Sequence, residues 1–459
     1  MKHNQDPFPE FLQNLEQHQM VGDDSQKVLL AVSGGPDSMA LLHLFFRWNP
    51  SRIGVWHLNH GFRPAAAAEA EMVRRYCQDL GVPVQICCFD VTAFIRQERE
   101  SKQQGARRIR YQLLEEYARD RGYDRIALGH HADDQAETIL MHFLRGSGLS
   151  GLKGMLPKRG MYIRPLLTLS KEVLVQYCVH HSIPFAIDES NVETVYLRNK
   201  VRHELIPLLE KEYNPGLRQH LLHLSEIVQA EDAELESSAE RIAGQYAVVH
   251  GQQVVFPRKV FAALSPALQR RVLRRLWALH RGNLRRLEFE HAERWRWLIL
   301  SGRAFELELP QTWAAGTTNH IYVGEFELQA WESAVLPIPG EVEAGSCVIR
   351  AEVFSAKALP PCPDNSEDFA LAALAPPLVV RPRQEGDRMV PFGGSSPKKV
   401  SRLMVDAHVP RSLRDYLPVV CDQADILWIP EVKRAEKGRL SAATEQVVRL
   451  TCGLRQTCR

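Results

Sequence analysis

Two short stretches carry residue types whose spacing can do chemistry. The first is SGGPDS, residues 33–38, set between the apolar run KVLLAV and the amphipathic run MALLHLF. Backbone N–H groups in such a turn, with a helix N-terminus behind them, form an anion site. Gly34 and Gly35 let the backbone approach a phosphate with no Cβ in the way, so residues Ser33, Gly34, Gly35, Pro36, Asp37 and Ser38 form a candidate phosphate loop. A Walker-type loop would continue Gly-Lys-Ser/Thr, whereas the first helix here has no lysine to clamp the outer phosphates. Asp37 beside a polyphosphate would be repelled unless a divalent cation lay between them, which points to Mg2+ held with Asp37. The plain alternative is a structural turn in which Asp37 caps the helix.

The second stretch is HHADDQAET, residues 130–138. With a helix beginning near Asp133, Asp134 and Glu137 stand three apart and His130 one turn before Asp134, so the three share a face. Two carboxylates on one face can hold a cation, either an ammonium or magnesium. The same residues could instead cap a helix, as Asp133 is suited to do. A transition-metal site built from His130, His131, Asp133 and Asp134 would leave the phosphate loop without a role. Arginines supply fixed donors for phosphates and for developing negative charge. Arg107 and Arg110 in ARRIRY and Arg198 and Arg202 in RNKVRHELIP are the candidates, with Asn191 and Asn199 as further hydrogen-bonding groups.

The elements that must position these residues read as a doubly covered parallel sheet. The apolar runs KVLLAV, RIGVWHL, PVQICCF, RIALGH and YIRPLL alternate with helix-period segments starting near Ser38, Ala66, Gln104, Asp133 and Ser170. Such sheets bind ligands at the carboxyl ends of their strands. Beyond about residue 215 the segment HLSEIVQAEDAELESSAERIAGQY reads as a connecting helix, followed by an arginine-rich helical region. The stretch KALPPCPDNSEDFALAALAPPL reads as a linker, and short β-like runs with basic turns follow it. The expected division is a catalytic domain at 1–215, a helical linker domain at 216–345 and a small α+β domain at 346–459 with its core at about 379–452.

Composition sets the class. The chain has 459 residues, 45 % hydrophobic and 24 % charged, with a net charge of +2, so attraction to nucleic acid must come from local patches. The first twenty residues hold no apolar core of signal-peptide length, and no later run reaches the roughly 18 to 20 uncharged residues of a membrane span. A cytoplasmic protein without membrane attachment is expected. The nine cysteines include no Cys-x-x-Cys pair, which argues against a disulfide framework or a zinc ribbon.

SGGPDS resembles the SGGxDS motif of the PP-loop ATP pyrophosphatases, which cleave ATP between the α and β phosphates and leave an adenylated intermediate. Downstream, HLNHGFRP, GARRIRYQLLEE, LGHHADDQAETILMHFLRGSGLSGLKGM, RPLL and DESNVETVYLRNKVRHELIPLL resemble successive motifs of the tRNA(Ile)-lysidine synthase family through about residue 210. The tail RPRQEGDRMVPFGGSSPKKVSRLMVDAHVPRSLRDYLPVV resembles the C-terminal domain of that family. The run AAAAEAE after HGFRP departs from the more polar start common in the family.

The resemblance implies ATP-dependent ligation of free L-lysine to carbon 2 of the wobble cytidine in the CAU anticodon of tRNA(Ile). The product, lysidine, pairs with A rather than G, so the tRNA reads AUA instead of AUG. Residues 33–38 would bind ATP, with Asp37 on Mg2+. Asp134 and Glu137 would hold lysine, Asp37, His130, Asp134, Arg107 and Arg110 would act in catalysis, and Arg198 and Arg202 would reach tRNA.

Seven arginines and no acidic residue lie between Arg270 and Arg286, and Arg274 and Arg275 are the candidates there for phosphate contact. Lys398 and Lys399 are their counterparts in the tail. A homodimer is compatible with the sequence. A tRNA thiolase of the same superfamily would need sulfur-carrying or cluster-binding cysteines that the motifs lack, and a non-catalytic RNA-binding protein would have no use for Asp37, Asp134 and Glu137.

Overall fold

The computed structural model describes residues 6–23, 25–59, 65–89, 102–186, 197–284, 286–324, 331–345 and 347–454. The chain divides into two compact units, Met1–Ala233 and Glu234–Arg459.

The first unit is built on a six-stranded sheet. Its strands are β1 (Val28–Ala31), β2 (Ile53–Asn59), β3 (Val84–Cys88), β4 (Arg125–Leu128), β5 (Lys158–Arg159) and β6 (Tyr162–Ile163), in spatial order β3-β2-β1-β4-β6-β5. All neighbouring pairs are parallel except β5 with β6. Helices α1 (Phe8–Gln17), α2 (Pro36–Trp48), α3 (Ala65–Asp79), α4 (Lys102–Asp120), α5 (Ala132–Leu144) and α6 (Lys171–His180) surround it.

Alternation along the strands explains the two covered faces. Val28 and Leu30 of β1 join Met39, Leu42 and Phe45 of α2 in one core, while Leu29 joins Trp56, Leu114 and Ile126 in the other. Both faces are apolar, so the strands read as nearly continuous hydrophobic runs. Burying each such side chain contributes about 1.5–3 kcal/mol.

The register sets where the site lies. Ala31 of β1 is level with Trp56 of β2 and Leu128 of β4, so the loops leaving β1 and β4 emerge side by side. The chain order runs outward from β1 in both directions, which makes the β1/β4 boundary the switch point where such sheets open a crevice. Gly129 follows β4 directly, and a Cβ there would stand 3.3 Å from the backbone Cα and N of Ser38. Glycine lets the exit of β4 lie this close to the first turn of α2 without pushing it back.

The chain continues through a short α7 (Leu197–Lys200), a π-helical turn at Val201–Leu205 and α8 (Ile206–Glu212) to the 30-residue α9 (Leu217–Tyr246). The connecting helix read from the sequence is α9.

The second unit adds a sheet to the helical linker domain expected at 216–345. Its α10 (Pro266–Arg281) and α11 (Phe289–Leu300) are the expected helices. Beside them stands an antiparallel sheet of β7 (Val248–His250), β8 (Gln253–Pro257), β9 (Phe305–Leu309), β10 (Thr312–Gly316) and β11 (His320–Val323), in order β7-β8-β11-β10-β9. One face of this sheet packs on Trp277 and Trp295 of the two helices. From the other face Val255, Ala315 and Tyr322 share a core with Met404 of α12 (Val400–Asp406) and with Val419. The expected second and third domains thus share a core within the compact unit Glu234–Arg459.

The boundary expected at 345/346 falls inside a hairpin of β12 (Gly340–Ala344) and β13 (Cys347–Ser355). The expected linker is ordered as well. Its strand β14 (Ser366–Ala370) pairs along its length with β15 (Gln446–Leu454). Arg449, 2 % exposed, ties it down through Asp368 at 2.7 and 2.8 Å and the carbonyls of Pro360 and Pro361. Among the described residues no helix is long and apolar enough to cross a membrane.

Candidate active site

The β1–α2 turn is tied by its own side chains. Ser38 Oγ accepts the Ser33 N–H at 3.1 Å and donates to the Gly35 carbonyl at 2.9 Å. Gly34 has φ +92°, a conformation open to glycine and strained for other residues, and its carbonyl accepts the Ala186 N–H at 2.9 Å. Pro36 is the first helical residue and Gly35 the N-cap, with no side chain over the first N–H groups of α2. Behind the turn the buried His57 sets Nδ1 2.9 Å from the Val32 carbonyl, which fixes the end of β1.

A cavity of about 600 Å³ opens over this turn, lined by Ser33, Gly35, Pro36, Asp37, Ser38, Arg110 and His130 among others. One wall is apolar, from Trp56, Leu58, Leu114 and Leu128, and Lys171 at the start of α6 adds a cation beside Asp37. The volume suits a nucleotide. The expected loop residues, Arg110 and His130 are thus brought together. Arg107 is on α4, with its side chain outside the described residues, and Asn191 also lies outside them.

Asp37 is the carboxylate of the phosphate loop that lines the cavity. Its Oδ1 is buried without a hydrogen-bond partner. Burial pushes its pKa up, His131 and Lys171 pull it down, and Asp134 pushes it up again, with a net rise. His131, 3 % exposed at its side chain, sits among three carboxylates. Its Nε2 is 3.6 Å from Asp37 Oδ2 and 3.4 Å from Asp134 Oδ2, and its Nδ1 is 3.3 Å from Asp133 Oδ2.

Asp133 does cap a helix, but not its own. It accepts the Lys171 N–H at the start of α6 at 2.9 Å and pairs with Arg218.

Asp134 and Glu137 do share a buried face of α5, at 8 % and 1 % exposure. Both are already engaged. Asp134 Oδ1 accepts Arg198 Nη2 at 2.9 Å and Arg202 Nη2 at 3.0 Å. Glu137 accepts Arg198 Nε at 2.8 Å, Arg202 Nε at 2.5 Å and Arg202 Nη2 at 3.0 Å. Burial would raise the Asp134 pKa, but His131, Arg198, His130 and Arg202 outweigh it and hold the carboxyl below its ordinary range. Burial would lower the Arg202 pKa, and the bonds and charges of Glu137 and Asp134 raise it on balance.

This changes the role expected for Arg198 and Arg202. They are not cations free for an RNA backbone but half of a charge quartet. Arg198 is on α7 and Arg202 on the π turn, an irregularity common at functional sites.

The basic helix of the second unit is also partly neutralised. Arg270 pairs with Glu293, Arg271 with Glu236 and Arg275 with Glu240. Arg274 is half-buried on α10, and Lys398 and Lys399 form an exposed short strand paired with Arg388 and Met389.

Sequence reasoning placed His131 only in the transition-metal alternative, and it missed Lys171 and the arginine–carboxylate pairing. His131 was visible as the second half of HH, directly before a helix start. Lys171 stands beside the readable N-cap Ser170, whose Oγ accepts the Val173 N–H.

The geometry can be set beside known proteins. A PP-loop domain model matches residues 5–209, a TilS substrate binding domain residues 256–316 and a TilS substrate C-terminal domain residues 378–452. A bifunctional protein TilS/HprT of Listeria monocytogenes serovar 1/2a is 32 % identical, over 93 % of this chain and 67 % of the relative. A tRNA(Ile)-lysidine synthase of Geobacter sulfurreducens is 33 % identical, over 91 % of each chain. One from Symbiobacterium thermophilum is 33 % identical, over 94 % of each chain. An identity of 33 % sustained through more than nine-tenths of two such relatives means that the chain belongs to the tRNA(Ile)-lysidine synthase family.

Proposed function

We propose that this chain ligates free L-lysine to carbon 2 of the wobble cytidine in the CAU anticodon of tRNA(Ile), with ATP as co-substrate. The observation that carries this reading is the distance between its two charged centres. Asp37 of the phosphate loop and Asp134 of the carboxylate pair are bridged by one imidazole, at 3.6 and 3.4 Å. A nucleotide site and an amino-acid site lie within one side chain of each other.

In the first step the triphosphate lies over the turn at 33–38, facing its N–H groups and the open N-terminus of α2. Arg110 and Lys171 add positive charge at the cavity, and the base rests against Trp56, Leu58, Leu114 and Leu128. The cytidine O2 attacks the α-phosphorus and pyrophosphate leaves. Asp37 would hold Mg2+ through its buried, unpartnered Oδ1, which suits a hard cation that takes one or two carboxylates and completes its shell with phosphates and water. When bound, Mg2+ neutralises charge on the phosphate oxygens.

In the second step the uncharged side-chain amine of lysine attacks carbon 2 and AMP leaves. Asp134 and Glu137 hold the amino acid. We assign the proton lost by the amine to His130, which lines the cavity while the two carboxylates are engaged by arginines. The product is lysidine, which switches the anticodon from reading AUG to reading AUA. Arg274, Arg275, Lys398 and Lys399 are assigned to the tRNA backbone, on the match of their segments to the substrate binding and C-terminal domains.

The two steps are separable. With ATP, Mg2+ and a tRNA(Ile) transcript, pyrophosphate is expected without lysine and AMP only after lysine is added. Release of ADP and phosphate instead would overturn the reading.

A further inference from the structure

Helix α5 is held from two sides. Asp134 and Glu137 meet the arginines on one face, and Gln135 and His142 share another, about 130° around the helix from the carboxylates. Building on the reading of Asp134 and Glu137 as the lysine carboxylates, we infer that Gln135 is a positioning residue for the second half-reaction. Its amide sets the rotation and height of α5 against α9 and the loop at 147–155, and so sets where the two carboxylates stand.

Gln135 is 3 % exposed, and its amide is bonded at both ends. Its Oε1 accepts the Met155 N–H at 2.7 Å, and its Nε2 donates to the Met155 carbonyl at 3.0 Å and to Ser225 Oγ of α9 at 2.8 Å. Ser225 in turn donates to the Lys153 carbonyl at 2.7 Å, and Gln229 of α9 donates to that carbonyl and to Ser225 Oγ, each at 2.9 Å. A leucine or methionine would fill the same space without desolvating an amide, so packing alone does not call for glutamine here. Hydrogen bonds fix an orientation that an apolar contact leaves loose.

The loop is shaped around that amide. Gly154 has φ +62°, and a Cβ on it would stand 2.7 Å from Gln135 Oε1. Two further ties keep the loop in place. His142 Nδ1 lies 2.7 Å from the Gly151 carbonyl, and the buried Asp232 of α9 accepts Lys153 Nζ at 2.8 Å and Ser150 Oγ at 3.0 Å. The end of α5 nearest the phosphate loop has anchors of its own: the Ala132 N–H donates to the Leu169 carbonyl at 2.9 Å, and Asp133 accepts the Lys171 N–H. Gln135 does not line the cavity over that loop. Loss of the amide therefore displaces the carboxylates and leaves the nucleotide site in place, and a misplacement of about 1 Å can cost about a hundredfold.

The test uses the intact protein with ATP, Mg2+ and a tRNA(Ile) transcript. It measures pyrophosphate released without lysine, and labelled lysine attached across a range of lysine concentrations. In Gln135→Met the lysine KM should rise by about tenfold or more, while lysine-free pyrophosphate release stays within about threefold of native. Gly154→Ala crowds the amide without removing it and should raise the lysine KM as well. Ser225→Ala removes a single partner, serves where Gln135→Met fails to fold, and should raise the lysine KM by about threefold. Because Ser225 acts through Gln135, the double variant should be within about twofold of Gln135→Met alone. Equal losses in both half-reactions, or a native lysine KM in every variant that folds, would overturn the positioning role while lysine ligation stood. Native protein that attaches no lysine would instead overturn the ligation itself.

Discussion

Replacing Glu137 by glutamine separates the two half-reactions. Glu137 is 1 % exposed and accepts three charged hydrogen bonds, from Arg198 Nε, Arg202 Nε and Arg202 Nη2. Glutamine keeps the shape and one acceptor oxygen but removes one negative charge, so the quartet changes from neutral to a net +1. Breaking a buried ion pair by removing one partner costs about 3–5 kcal/mol, and the retained acceptor puts this change near the lower end. A site with excess positive charge also repels an ammonium of the substrate. About 3 kcal/mol off lysine recognition corresponds to roughly a hundredfold loss in kcat/KM for lysine. Glu137 does not line the cavity over the phosphate loop, so pyrophosphate release without lysine should stay within about threefold of the native rate. The assay measures pyrophosphate from ATP with tRNA alone, then labelled lysine entering the same tRNA across a range of lysine concentrations. Equal losses in both measurements would refute the assignment of Glu137 to lysine.

Three further outcomes are expected. Asp37→Ala should reduce adenylation by about a thousandfold or more, because it removes the buried, unpartnered oxygen at the loop; pyrophosphate release at saturating Mg2+ measures it, and near-native release would count against the metal assignment. Acid should destabilise the first unit through His43, whose Nδ1 lies 2.6 Å from the Tyr177 hydroxyl and whose pKa is pushed down to about 4 by burial and by His181 and Arg47, against a smaller pull from Asp6. The unfolded chain takes up that proton near pH 6.5 and the folded chain near 4, so stability is lost as pH falls between those values; urea unfolding of His43→Gln should show a flatter profile, and an unchanged profile would contradict the assignment. Arg274→Ala should lower the slope of log K for tRNA against log salt by about 1, whereas Arg275→Ala, already paired with Glu240, should change it less; the reverse order would remove the proposed contact.

What could be read in the sequence was local. SGGPDS announced a strand, a turn and a helix, and the alternation of apolar runs with helical segments gave the parallel sheet, because each depends on residues within a dozen positions. Asp134 and Glu137 share a helical face for the same reason. Their pairing with Arg198 and Arg202 crosses more than sixty positions, and no periodicity encodes which cation meets which carboxylate.

The sheet of the second unit was missed for a different reason. Its strands are three to five residues long and sit among stronger helical signals, although Phe305–Leu309, FELEL, carries the buried-exposed alternation of a strand. Proline and alanine content suggested a linker at 357–378, yet Arg449 supplies donors to its carbonyls and to Asp368 from a distant strand. His131 was readable as a residue before a helix, but its place among three carboxylates depends on the β1 and β4 loops emerging together.

The most direct test of the central claim is the fate of the wobble cytidine. Native protein, ATP, Mg2+ and isotope-labelled L-lysine are incubated with a tRNA(Ile) transcript bearing CAU, and the nucleosides are analysed by mass spectrometry alongside AMP and pyrophosphate. The expected result is one labelled lysine on the anticodon cytidine for each AMP and each pyrophosphate formed, and none on a transcript in which that cytidine is replaced by uridine. Label absent from the cytidine while ATP is consumed, at every Mg2+ concentration, would contradict it.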